Sequence, residues 1–162
     1  MYQDLALGNT MDVASNLFLG REITKLGFLD KKEMRRKSEE LLKSLDINIP
    51  DVTVPVGNLS GGQRQGVAVA RLINQGGKVF IFDEPTAAMG ISETGAVLRL
   101  IRKLADDGYT VIVISHNLPQ VFSIADRICV MRHGQVIAEK KTAETTMDEV
   151  VSLITGAIDI QK

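Results

Sequence analysis

The chain has 162 residues and a mass of 17.7 kDa, with 44% apolar and 24% charged side chains. That composition excludes disorder and fibrous repeats, and the length suits one domain or part of one. The 19 Lys and Arg residues against 20 Asp and Glu leave a net charge of -1, which argues against a protein held to nucleic acid by bulk charge. Cys129 is the single cysteine, so no internal disulfide can form and a reducing, intracellular compartment is expected. No apolar run reaches membrane-spanning length, and Met1–Thr10 carries Asp4 and no basic stretch, unlike a secretory signal.

The first half reads as helix. Thr10 is placed to cap a helix with Val13, Leu17 and Phe18 on its apolar face and Gly20 at its end. Asp30 and Glu33 have capping-box spacing before a second helix that turns Met34, Leu41, Leu42 and Leu45 inward. The charge-dense stretch from Lys31 to Glu40 is expected to be its solvated face. A third helix opens at Leu59-Ser-Gly-Gly-Gln63, runs to about Asn74 and stops at Gly76 and Gly77.

Strands and helices then alternate. Val79–Phe82 and Val111–Ile114 are short continuous apolar runs, as expected of strands buried on both faces. Between them Val97, Leu98, Ile101, Leu104 and Ala105 make a helical stripe stopped by Gly108. A short helix over Leu118–Asp126, a third strand over Ile128–Met131, and a tight turn at His133-Gly134 into Gln135–Ala138 follow. Thr146 and Glu149 form a capping box for a last helix ending near Gly156. This β-α-β-α-β order predicts an α/β fold, with a parallel sheet, right-handed crossovers and a helical portion in front.

Three places can carry chemistry. The strand Val79–Phe82 delivers Asp83 and Glu84 at its C-terminal end, where open α/β sheets bind ligands. Asp83 there can hold hydrated magnesium on a nucleotide's phosphates, and Glu84 can orient and deprotonate a water. The alternative is that both acids merely begin a surface turn at Pro85. Ser60-Gly61-Gly62-Gln63 can bind an anion, because glycines at a helix start let the backbone approach closely. Ser60 and Gln63 also have the spacing of a capping box that does no more than start the helix, although a cap does not ask for two glycines. His116 follows the second strand on the same expected sheet edge as Asp83 and Glu84, which raises it above a lone structural histidine. His133 is expected in a surface turn, and Cys129 as an inert small hydrophobe in a buried strand.

Taken together, these strings resemble the ATP-binding-cassette (ABC) ATPases. Leu59-Ser-Gly-Gly-Gln63-Arg-Gln is similar to their signature sequence and Val79-Phe-Ile-Phe-Asp83-Glu84-Pro85-Thr86 to their Walker B segment; Ser115-His116 is similar to the switch histidine and Tyr2-Gln3-Asp4 to the Q-loop. The wording Tyr2-Gln-Asp-Leu-Ala-Leu7, Asn16-Leu-Phe-Leu-Gly-Arg-Glu22 and Glu84-Pro-Thr-Ala-Ala88 looks like the monosaccharide-importer subclass.

The resemblance implies an ATPase subunit of a transporter, here a sugar importer, using ATP and Mg2+. Gln3 would contact the metal and the attacking water. Ser60, Gly61, Gly62 and Gln63 would bind the γ-phosphate of ATP held by an opposite subunit. Asp83 would act through the metal, Glu84 as general base, and His116 on the γ-phosphate. Residues 1–77 would form the Q-loop and helical subdomain with the signature, and residues 78–162 the C-terminal part of the P-loop ATPase core. Expected partners are a second nucleotide-binding subunit, integral membrane permease subunits and, indirectly, a periplasmic or extracellular solute-binding protein, with no nucleic acid, at the cytoplasmic face of the membrane. The D-loop position reads Ala87-Ala88-Met89-Gly90, with glycine where the family often has an acid.

No Gly-x-x-x-x-Gly-Lys-Ser/Thr string occurs, so the loop whose amides cradle phosphates is missing. The chain is therefore expected to be the C-terminal portion of a longer ATPase, inactive alone, with an unpaired sheet edge and exposed apolar surface. Two other readings stand beside it: a non-hydrolysing cassette that only lends its signature loop to a partner, and a cassette ATPase working outside transport.

Overall fold

In a computed structural model, residues 5–87 and 89–157 are described, and they pack as two compact units, 1–114 and 115–162. This division by packing is separate from the division by motif at residue 77.

The first unit begins with helix α1, Val13–Phe18. Its cap is Asp12 and not Thr10: the Asp12 carboxylate accepts the Ser15 N–H at 2.6 Å. Thr10 stands in a turn two residues too early to reach the free amides of the first helical turn. The buried Asn16 ties down the approach to this helix. Its Oδ1 accepts the Gly8 N–H at 2.8 Å, and its Nδ2 donates to the carbonyls of Gly8, Met11 and Asp12.

Between α1 and the next helix lies a hairpin that the helical reading missed: β1, Thr24–Lys25, antiparallel to β2, Phe28–Leu29. Leu26 and Gly27 both have positive φ, 52° and 84°, the pattern of a two-residue type I′ turn, which usually holds Asn-Gly or Asp-Gly.

Helix α2, Lys31–Ser44, starts at Asp30, whose carboxylate accepts the Glu33 N–H at 3.0 Å. Met34, Leu42 and Leu45 are buried as expected, and Ser38 among them donates to the Met34 carbonyl. On the solvent side Arg36 bridges Glu33 and Glu40, the solvated face that the charge pattern predicts. Helix α3, Gly61–Asn74, packs on α1, α2 and α4. A side chain at Gly66 would meet Ile47 Cγ2 at 2.8 Å, so glycine there permits the close approach.

Strand β3, Val79–Asp83, and strand β4, Thr110–Ile114, pair in parallel, with Phe80 opposite Val111 and Phe82 opposite Val113. Helix α4, Ile91–Asp106, connects them and packs on β4 and α3, burying Val97, Leu100, Ile101 and Leu104. Phe80 and Phe82 are buried, and Phe80 meets Tyr109 edge to face at 5.4 Å.

The opposite face of this sheet is bare: Val79, Ile81, Ile112 and Ile114 are 48% to 60% exposed. Burial on both faces is thus corrected, while the exposed apolar surface expected of an incomplete core is present. Alternation along a parallel strand sends every second side chain to the uncovered face.

The second unit holds helix α5, Leu118–Ile124, strands β5, Arg127–Arg132, and β6, Gln135–Lys141, and helix α6, Met147–Thr155. Its core joins Ile128, Val130 and Ala138 of the hairpin to Val150 and Leu153 of α6. The third predicted strand therefore pairs antiparallel with β6 instead of extending the parallel sheet. The turn decides this: His133 and Gly134 take φ 48° and 75°, the geometry that joins adjacent antiparallel strands. Cys129 faces solvent, not the core, because it alternates with the buried Ile128 and Val130.

Candidate functional site

The N-terminus of α3 is built by its own sequence. Ser60 caps it: the Gln63 N–H reaches Ser60 Oγ at 3.3 Å, and Gln63 Oε1 accepts the Ser60 N–H at 3.0 Å. The capping box is formed, and Gln63 Nε2 donates to the Asn48 carbonyl at 3.0 Å. Among the described residues, the N–H groups of Gly61 and Gly62 have no acceptor. They are the first amides of a 14-residue helix, at the positive end of its dipole. Capping thus does not use up the tetrapeptide: the cap uses the amides of Ser60 and Gln63 and leaves those of Gly61 and Gly62.

The two glycines also face α4. A Cβ at Gly61 would lie 3.7 Å from Met89, and one at Gly62 would lie 3.6 Å from the Glu93 carbonyl oxygen. Both are ordinary contact distances, so small side chains fit sterically. The start of α3 and the start of α4 therefore form one surface, bordered by a cleft of about 490 Å³ whose walls include Asn48, Gln63, Glu93, Arg99 and Lys103. Sequence reasoning did not bring Met89 and Glu93 to the signature; glycines facing a following helix are the only signal of it.

Asp83 ends β3 and pairs in register with Ile114. Glu84 follows with its N–H donated to the Ile114 carbonyl at 2.9 Å, which carries the sheet pairing one residue past the strand. Its backbone is left-handed, φ 45°, which costs a non-glycine residue about 1–2 kcal/mol. The conformation turns the chain sharply into Pro85, which is buried, and Ala87 closes the turn by donating to the Glu84 carbonyl at 3.1 Å. The turn at Pro85 and the placement of two acids at the strand end therefore coexist.

His116 belongs to the second unit, in the exposed segment between β4 and α5. The next residue, Asn117, caps α5 through the Gln120 N–H. Gln3 lies outside the described residues. In the first unit, then, the structure holds Ser60–Gln63 at one helix start and Asp83–Glu84 at one strand end.

Among the described residues no three His, Cys, Asp or Glu side chains gather to cage a metal. A single exposed aspartate at a strand end fits a hard cation that keeps most of its waters and takes its other ligands from phosphate. That is the behaviour of magnesium, and Asp83 has the chemistry and the placement such an ion would need.

Comparison with known proteins bears on the same residues. The ABC transporter family model matches residues 1–87, slightly more than half of the chain. A xylose/arabinose import ATP-binding protein, XylG of Sulfolobus acidocaldarius, is 46% identical over 96% of this chain and 62% of its own length. A fructose import ATP-binding protein, FrcA of Rhizobium meliloti, is 43% identical over 97% of this chain and 64% of its own length. Among solved structures, the dimeric post-hydrolysis state of the ATP-binding cassette MJ0796 bound to ADP and Pi superposes with a TM-score of 0.66. It is 26% identical, with 87% of this chain and 61% of that one covered.

The chain belongs to the ABC transporter ATP-binding family. It spans somewhat under two thirds of the length of these relatives.

Proposed function

We propose that the chain is the signature and Walker B portion of an ATP-hydrolysing subunit that drives sugar uptake. The observation that carries this is the start of α3, where the capping box is satisfied while two adjacent glycine amides stay available to an anion. In this reading Ser60, Gly61, Gly62 and Gln63 hold the γ-phosphate of ATP lodged mainly in a second ATP-binding subunit. Binding by backbone amides at a helix start suits phosphate, since the donors are already oriented.

Asp83 and Gln3 hold Mg2+, which when bound screens the phosphate charge. Glu84 takes a proton from the attacking water, and His116 contacts the γ-phosphate. The strained backbone at Glu84 supports that role: strain is retained where the surroundings demand one direction of a side chain. The names of the sugar-import relatives support a sugar as cargo, and the dimeric cassette supports a paired subunit. The remaining partners are integral membrane permease subunits and, through them, a solute-binding protein. Docking on the permeases places the chain on the cytoplasmic face of the membrane. No helix among the described residues is long and apolar enough to cross that membrane.

A second reading uses only the glycine amides at the start of α3. Here the chain lends Ser60–Gln63 to a complete partner and Glu84 is idle. Glu84→Gln in the native membrane complex separates the two. Loss of ATP turnover by about a hundredfold or more supports the first reading, as expected of a general base; unchanged turnover supports the second.

A further inference from the structure

The β1–β2 hairpin is used by neither reading. Its tip residue Leu26 is 93% exposed, and Phe28, directly across the strand pair from Lys25, is 80% exposed. Leu29 is exposed as well. Leu26 also holds a left-handed backbone, φ 52°, at a position where asparagine or aspartate would be less strained. A leucine placed there gains no burial in the folded chain, so both the strain and the exposure are uncompensated within it.

The charges around the tip are mainly basic, four cations against the two carboxylates of Glu22 and Asp30. Arg21, Lys25, Lys31 and Lys32 are all exposed, and none has an ion-pair partner among the described residues. The two acids of the same stretch are engaged with backbone: Glu22 accepts the Gly20 N–H at 3.0 Å and Asp30 accepts the Glu33 N–H at 3.0 Å. The tip is a narrow convex hairpin with an aliphatic and an aromatic side chain at its end and unpaired cations on the flanking residues before, within and after it. A protein partner would need a matching pocket for it. A bilayer surface needs none, since apolar side chains enter the acyl boundary while cations stay with the headgroups.

We propose that this hairpin is a contact site for an anionic lipid surface, with Leu26 and Phe28 entering the interface and Arg21, Lys25, Lys31 and Lys32 meeting the phosphates. The cations supply attraction that depends on anionic headgroups and weakens with salt, and the two apolar side chains supply the salt-resistant remainder.

The test is cosedimentation of the full chain with vesicles of phosphatidylglycerol in phosphatidylcholine, and with phosphatidylcholine alone. Binding to the anionic vesicles should fall about tenfold or more with Phe28→Ser and with the paired change Arg21→Gln and Lys25→Gln. Leu26→Asn is the decisive variant. It suits the turn better than leucine, so it should hold or raise the melting temperature while it weakens vesicle binding. Ile81→Thr on the bare sheet face should leave binding unchanged. Equal binding to neutral and anionic vesicles overturns the proposal, as does binding lost with Ile81→Thr but kept in the hairpin variants. Absence of vesicle binding, with hairpin variants that instead release the membrane subunits of a native complex, overturns it in favour of a protein-docking surface. This outcome is independent of ATP turnover, so it leaves the proposed function standing or falling on Glu84→Gln.

Discussion

The helical body and the β3–β4 sheet lie in one compact unit but complete their cores differently. Helices α1, α2 and α3 enclose Val13, Leu17, Met34, Leu42 and Val67, all nearly free of solvent. The sheet buries Phe80 and Phe82 on one side and leaves Val79, Ile81, Ile112 and Ile114 open on the other. A helix buries one stripe and can finish its packing with two neighbours, whereas a parallel strand is apolar on both faces and needs a layer on each. Local packing thus suffices for the helices and not for the sheet.

That contrast can be broken most sharply by paired truncations on the two sides of the sheet. Phe82→Ala, on the packed side, should destabilise the chain by about 3–5 kcal/mol. Ile112→Ala, on the open side, should cost well under about 1 kcal/mol, because a half-exposed side chain leaves no cavity behind. Urea unfolding monitored by circular dichroism measures both. Similar losses would mean that the open face is covered in solution.

Within α3 a second pair tests close packing against anion binding. Gly66→Ala should cost about 1–3 kcal/mol, since the new methyl would fall 2.8 Å from the stiff β-branched Ile47. Gly62→Ala meets only ordinary contacts, and alanine favours helix over glycine by up to about 1 kcal/mol. It should therefore leave the melting temperature unchanged or raised while it reduces ATP turnover in the native complex. A large loss of stability with Gly62→Ala would assign that glycine to packing alone. Ser60→Ala comes next in size, at about 1 kcal/mol from the lost cap, read in the same unfolding assay.

The smallest expected effect lies in the second unit. Lys140 and then Thr145 hydrogen-bond Glu149 and hold its carboxyl below the ordinary glutamate value. A depressed folded pKa means that this stabilisation is fully present above the unfolded pKa and fades as pH falls through the folded one. Melting temperatures across the acid range should therefore decline less steeply for Glu149→Gln than for the parent chain. Parallel declines would show that this half-buried pair contributes nothing measurable.

How much of this was legible in advance depends on the range of the interaction. Caps at Asp30, Ser60 and Thr146 were readable because donor and acceptor stand three residues apart. The Asp83–Glu84 strand end and the signature tetrapeptide were readable for the same reason. At the first helix the nearer carboxylate of Asp12 displaced the expected Thr10. The β1–β2 hairpin stayed hidden because its turn holds leucine at a position that composition rules reserve for asparagine, aspartate or glycine.

The sequence by itself determined the order of helices and strands from α2 onward, the helix starts at Asp30, Ser60 and Thr146, the family and the pair of acids at the end of β3, because each rests on residues close together in the chain. Only the tertiary structure decided that β5 pairs with β6 without extending a parallel sheet, that Met89 and Glu93 stand beside the signature glycines, and that one face of the β3–β4 sheet stays open. Those outcomes depend on which surfaces meet across long stretches of chain, and an alternating or apolar pattern states that a face wants cover without naming what covers it.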